Sequence, residues 1–253
     1  MTAETPTTTR NRERRTSGFG SALRYEWTNM RTRRSTWVLS GLVVLLQVVT
    51  TVWNIGSGVS DISVVSGDEM FSYGLLQLTL FSWLLVAAIG VNAFSTEYRH
   101  RTITTTLLVV QSRVRVVLAK AVVVAGIGAA TSVLAVLVSF LGLLVHFGPV
   151  VDPVRGAAAG SGTVLHIMLC GLLGLALAGL TRSALASYAS LLAWLIGEQL
   201  VLDHVDPNIL PFFSGFWLAD VSPEYDWTPA LPMVALTAAA LVGAVVAVSR
   251  RDV

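Results

Sequence analysis

The chain has 253 residues, of which 54% are hydrophobic and 13% charged, with a mean hydropathy of +0.70. Soluble domains carry roughly 25% charged residues, so this composition excludes a soluble globular domain and points to a chain whose solvent is the bilayer. The formal net charge of +2 hides an uneven distribution, and a single cysteine, Cys170, excludes an internal disulfide.

Residues 1–20 are rich in Thr and Arg. They lack the short apolar core and small-residue cleavage site of a signal peptide and are expected to form a disordered tail. Residues 21–34 read as a short amphipathic helix. Phe19, Leu23, Trp27 and Met30 recur at helical spacing, Ser21 is placed to cap the start, and Arg24, Thr28 and Arg31 fall on the other side. An apolar face with Trp opposite arginines describes a helix lying in the membrane interface.

Crossing the hydrocarbon takes about 20 apolar helical residues. Six segments meet that requirement, at 37–54, 74–95, 117–146, 163–181, 184–202 and 229–249. The third is longer than needed, so it tilts or projects beyond the bilayer. Only Thr181, Arg182 and Ser183 separate the fourth from the fifth, which makes them a tight helical hairpin. No alternating ten-residue strand pattern occurs, and helices are the expected spanning form. The expected fold is therefore all-α, with six transmembrane helices and an N-terminal interfacial helix.

Charge sets the topology. Of the 17 Lys and Arg residues, eight precede the first span, five lie between or just inside the second and third, Arg182 joins the fourth to the fifth, and Arg250 and Arg251 close the chain. Arg155 alone falls on the opposite side. By the positive-inside rule both termini are cytoplasmic.

Polar residues within the spans are few. Gln47 in the first, Gln77 and Asn92 in the second, and Trp194 and Glu198 in the fifth are the candidates to line a pathway. The plainer role for such amides is interhelical hydrogen bonding, worth on the order of 0.6 kcal/mol each. Glu198 is the one clear intramembrane acid, about one turn from the outer end. It has three options: to protonate, to snorkel or to face a polar cavity. The outer loop 203–228 mixes acids with Pro207, Pro211, Phe212, Phe213, Phe216 and Trp217, a pattern expected for a short segment packed on the spans. Within it, Asp203-His204-Val205-Asp206 lacks the second His or Cys that a metal site needs. His166, near an outer end, reads as a packed side chain.

The inner loop from Glu97 to Arg115 is the most informative stretch. It opens Glu97-Tyr98-Arg99-His100-Arg101-Thr102, and places Ile103, Leu107 and Val110 at i, i+4 and i+7. That spacing lays a short helix, 101–111, against apolar surface. Thr102, Thr104, Thr105 and Thr106 weaken its intrinsic helicity, so it needs tertiary support. A loop that only sets topology explains the arginines, but neither the embedded apolar turn nor Glu97. The sequence carries no Gly-x-x-x-x-Gly-Lys-Ser/Thr loop, no His-Glu-x-x-His and no Gly-x-Ser-x-Gly. An enzyme is not expected.

Six spans, the amphipathic first helix and the inner-loop stretch Phe94-Ser95-Thr96-Glu97-Tyr98-Arg99-His100-Arg101-Thr102, with Ser112-Arg113 and Ala119-Lys120, resemble the type-2 permeases of ABC exporters. The ending Ser249-Arg250-Arg251-Asp252-Val253 is similar as well. The chain departs from the usual pattern at Arg101, where members commonly carry Gly, and at Gln111, where Pro is frequent.

The resemblance implies one permease domain over 21–253 in the plasma membrane, with a coupling helix that docks on a separate ATPase subunit. The docking residues would be Glu97, Arg99, Arg101, Thr102, Leu107 and Arg113. It also implies two ATPase subunits that bind ATP and Mg, a second permease copy, a path lined by the second and fifth spans, and no nucleic-acid partner. The cargo expected is hydrophobic or amphipathic, moved outward by alternating access. The rival readings are a proton-coupled secondary transporter or channel using Glu198, a membrane enzyme at the outer surface built on Glu198, Asp203, His204 and Asp206, and a membrane anchor or sensory subunit that transports nothing.

Overall fold

The computed structural model describes residues 19–56, 66–99, 113–201, 204–206, 209–213, 215, 218–219 and 226–250, with backbone alone at 96–99, 113 and 250. Among the described residues there are seven helices and no strand: α1 Phe19–Thr32, α2 Arg34–Gly56, α3 Gly67–Arg99, α4 Arg113–Phe147, α5 Pro153–Thr181, α6 Ala184–Val201 and α7 Ala230–Arg250. Helices α2 to α7 are the six long and apolar enough to cross a membrane. The all-α, six-span expectation holds, with several boundaries displaced.

Helix α3 runs 33 residues, about 50 Å at 1.5 Å per residue, and α4 runs 35. Both exceed a hydrocarbon core of about 30 Å, a length that tilt or projection accommodates, and their facing ends at Arg99 and Arg113 flank the inner loop. Helix α5 begins at Pro153, ahead of the expected 163. The Asp152 carboxylate caps its start by accepting the Val154 and Arg155 amides at 2.9 and 3.0 Å, and proline is tolerated in the first helical turn.

At its other end, Arg182 takes φ +57° and its amide bonds Ala178 O, closing α5. Ser183 Oγ then accepts the Ala186 amide at 3.4 Å, and α6 departs. The hairpin of the fourth and fifth spans thus turns on a left-handed residue, the usual way to end a helix abruptly.

The bundle is organised on α3 and α5, each with 67% of its apolar window buried, against 17% for α2 and α6 and 22% for α7. Small residues make this contact close. A Cβ at Gly90 would stand 2.0 Å from Gly171 O, and one at Gly174 would stand 2.3 Å from Ala87 O. Without a hydrophobic drive between helices in lipid, close van der Waals packing and hydrogen bonds hold a bundle together. The core around this seam includes Ala87, Val91, Phe94, Leu173, Leu175 and Met233.

At the end of the bundle away from the termini, the Asp68 carboxylate joins α3 to α5. It accepts the Asp152 amide at 2.9 Å and lies 3.7 Å from Arg155 Nη1. The one basic residue expected on that side therefore meets an acid there.

Candidate functional site

Helix α1 packs onto α4 through a face that takes in Met30 of the apolar side but leaves Phe19 and Trp27 outward, where an interfacial helix presents them. Its buried residues are Ala22, Glu26 and Met30, while Phe19 and Trp27 are 41% and 48% exposed. Ser21 lies within the helix, which starts at Phe19, so it is not the cap. The reason for the shifted face is Glu26. Its Oε2 receives Lys120 Nζ of α4 at 2.8 Å, with the two residues 2% and 1% exposed. Lys120 is the single lysine of the chain. Its ammonium also stands 5.6 Å from the centroid of the Phe94 ring, on α3, within cation–π range. Three helices are thereby tied at one charged centre.

A second tie lies beside it. Arg33, in the break between α1 and α2, donates Nη1 to the Asn92 carbonyl of α3 at 2.8 Å. Its Nε and Nη2 both reach Asn29 Oδ1, at 3.3 Å. Phe94 and Asn92 lie just before Glu97, and Lys120 lies seven residues after Arg113. The two ties therefore clamp both roots of the inner loop to α1. Glu97 and Arg99 sit on the last turn of α3, and Arg113 is the first residue of α4. Arg101, Thr102, Leu107 and the expected coupling helix 101–111 lie outside the described residues.

The candidate pathway residues divide into three sets. Gln47 is buried at 1% exposure and donates to Ser139 Oγ at 2.9 Å and Gly74 O at 3.3 Å, knotting α2, α3 and α4. Gln77 exchanges amide hydrogen bonds with Asn54 at 2.9 and 3.1 Å, joining α3 to α2. Glu198 is 4% exposed and accepts the Phe212 and Phe213 amides at 3.0 and 3.4 Å, together with the indole N–H of Trp194. The carboxylate thus acts as a peg on which the outer segment hangs.

Phe212 in turn packs on Trp83 of α3, with ring centroids 4.8 Å apart. A cavity of about 120 Å³ lies at this junction, lined by Thr79, Trp83, His166, Gln199, Phe212 and Phe213. His166 is 1% exposed, with Nε2 3.7 Å from Cys170 Sγ, and Gly215 presses on its ring so closely that a Cβ would stand 2.6 Å from Nε2. No group of three or more His, Cys, Asp or Glu able to hold a metal occurs among the described residues.

A family model described as ABC-2 family transporter protein matches residues 22–197. That stretch runs from the clamped first helix through five spans and covers well over half of the chain. The chain belongs to the ABC-2 transporter family. No curated protein matches it significantly. Membership makes this ABC-2 protein a membrane subunit of an ABC transporter and implies an associated ABC ATPase.

Sequence reasoning reached the inner loop but missed the clamp beneath it. Two oddities carried the signal. Glu26 is the one acid of an arginine-bearing helix, and Lys120 is the one lysine, placed inside an apolar run. A lone charge buried in each of two helices requires a partner, and each is the other's.

Proposed function

We propose that this chain is the permease of an ATP-driven exporter and that its ATPase docks on the inner loop from Glu97 to Arg113. The observation that carries the reading is the double clamp of α1 onto both roots of that loop, in a chain of the ABC-2 family. A loop that only set topology would need no such anchoring. A loop that transmits force does, because displacement at its tip must reach α3 and α4 rather than be absorbed in a hinge.

In this reading both termini are cytoplasmic, as the basic flanks require, and the protein sits in the plasma membrane. Glu97, Arg99, Arg101, Thr102, Leu107 and Arg113 form the docking surface. The partner ATPase binds ATP and Mg. Two ATPase subunits close on ATP, their movement passes through the clamped roots, and α3 and α4 reorient.

A second copy faces the first across α3 and α6. The large exposed apolar residues of α6, Leu185, Ile196 and Leu200, support that placement. Cargo follows the path between them, beside Trp194 and the aromatic cavity at Trp83 and Phe212. Its predominantly apolar walls suit a hydrophobic or amphipathic molecule such as a drug, an antibiotic, a lipid or a peptide.

Glu198 supports this reading over a proton-coupled carrier. Its oxygens are committed to two backbone amides and an indole, so it holds the outer segment in place. The test is transport in proteoliposomes containing both subunits. ATP-dependent movement that Glu97→Ala and Arg113→Ala abolish is expected, and undiminished transport in assembled variants would overturn the docking site.

A further inference from the structure

We propose that the groove between α1, α2 and α4 is a binding site for one anionic phospholipid, with an acyl chain in the groove and the phosphate on Arg31. The site requires neither the ATPase nor transport, so it stands apart from the function proposed above.

The groove encloses about 430 Å³, within the roughly 300–1,000 Å³ typical of ligand sites. Its walls include Trp27, Trp37, Gly41, Gly126 and Leu134, and Arg31 is the one ionised side chain on its lining. The void is built into the sequence. A Cβ added at Gly41 or Gly126 would meet nothing within 4 Å, so these glycines leave open space rather than close a contact. Their role is the opposite of Gly90 and Gly174.

Length identifies the occupant. On α2 the lining runs from Thr36 to Val44, eight residues, about 12 Å along a helix axis. That lies within one leaflet of a hydrocarbon core of about 30 Å, where an acyl chain can fill it. The hydroxyls of Ser40 and Thr131 bond across the lining at 3.1 Å, tying α2 to α4 there.

Charge and position identify the headgroup. The groove opens beside α1, at the end of the bundle that carries the basic flank. Arg31 is exposed and has no ion-pair partner among the described residues. Trp37 Nε1 donates to the Arg31 carbonyl at 2.7 Å, which fixes the indole over the joint between α1 and α2. Trp27 is the second indole at the same mouth. Tryptophan pairs at the headgroup level with a basic side chain between them match an anionic lipid better than a zwitterionic one.

The test is native mass spectrometry of the full chain after reconstitution in equal parts phosphatidylglycerol and phosphatidylcholine and release in mild detergent. The native chain is expected to retain phosphatidylglycerol roughly fivefold over phosphatidylcholine, the worth of one basic side chain at an anionic surface. Arg31→Gln should bring the two to parity. Gly126→Leu, whose Cβ enters open space and whose side chain extends into the groove, should remove the retained lipid of both kinds.

Equal retention of the two lipids by the native chain would overturn the proposal, as would an unchanged preference in Arg31→Gln. Undiminished lipid in Gly126→Leu would also overturn it. If that variant instead lost self-association with its lipid unchanged, the groove would belong to a second copy of the chain.

Discussion

Glu26 and Lys120 stand 94 residues apart in sequence and 2.8 Å apart in the fold, both sealed from solvent. Desolvating two charges costs several kcal/mol per ion, so such a pair is weak evidence of added stability. Its value here is positional. It fixes the register of α1 on α4 beside Phe94 of α3, and so fixes where the inner loop leaves the bundle.

The consequence is an asymmetry between single and double substitutions. Lys120→Met or Glu26→Leu alone strands one buried partner and should lower stability by about 3–5 kcal/mol. Glu26→Leu combined with Lys120→Met should recover most of that loss. Thermal unfolding in detergent measures both, and additive effects in the double variant would mean the two groups do not interact.

Glu198 has a different duty. Glu198→Leu leaves the Phe212 and Phe213 amides without their acceptor, at about 1–3 kcal/mol for each buried donor. Their hydrogen exchange should speed up by about tenfold or more, since 1.4 kcal/mol is a factor of ten. Glu198→Gln keeps one acceptor oxygen and should show a smaller effect. Unchanged exchange at both amides in Glu198→Leu would remove the peg from the account.

The seam of α3 and α5 tolerates no added atoms. Gly174→Val places a Cβ 2.3 Å from a backbone oxygen that cannot move aside and should leave little folded protein after detergent extraction. Gly126→Ala enters open space and should extract like the native chain. Equal yields from the two would contradict the seam.

Asp152 gives the fold one acid-sensitive joint outside the spans. The amide of Arg155, foremost among its partners, holds its carboxyl below the ordinary 3.8, helped by the amide of Val154. A depressed pKa means the stabilisation is present above that ordinary value and is lost as pH falls through the folded one. The native thermal midpoint should therefore fall below about pH 4 more steeply than that of Asp152→Asn. Parallel curves would place the acid sensitivity elsewhere.

Spans were legible because an apolar run long enough to cross a bilayer seldom occurs in a chain that folds in water. The hairpin at Arg182 was legible because three residues cannot connect two spans in any other way. The buried face of α1 was not, and the reason is the solvent. In lipid, an apolar side chain gains little by facing protein rather than acyl chains, so the interfacial face of Phe19 and Trp27 was legible from hydropathy while the contact of Ala22 and Glu26 with α4 was not. The pairing of Glu26 with Lys120 is a long-range contact between two residues that each look like a flaw in an otherwise regular pattern. Helix α5 starts ahead of the expected span at 163 because the Asp152 cap and Pro153 begin the helix before the apolar run does.

The most direct test is purification of the native chain from its own membrane in gentle detergent, with the copurifying proteins identified and counted. The account predicts an ABC ATPase at near-stoichiometric yield, retained in the Glu26→Leu/Lys120→Met variant and lost from Glu97→Ala/Arg113→Ala. A chain that comes out alone, or one whose ATPase stays bound after both loop residues are removed, would contradict docking on this loop.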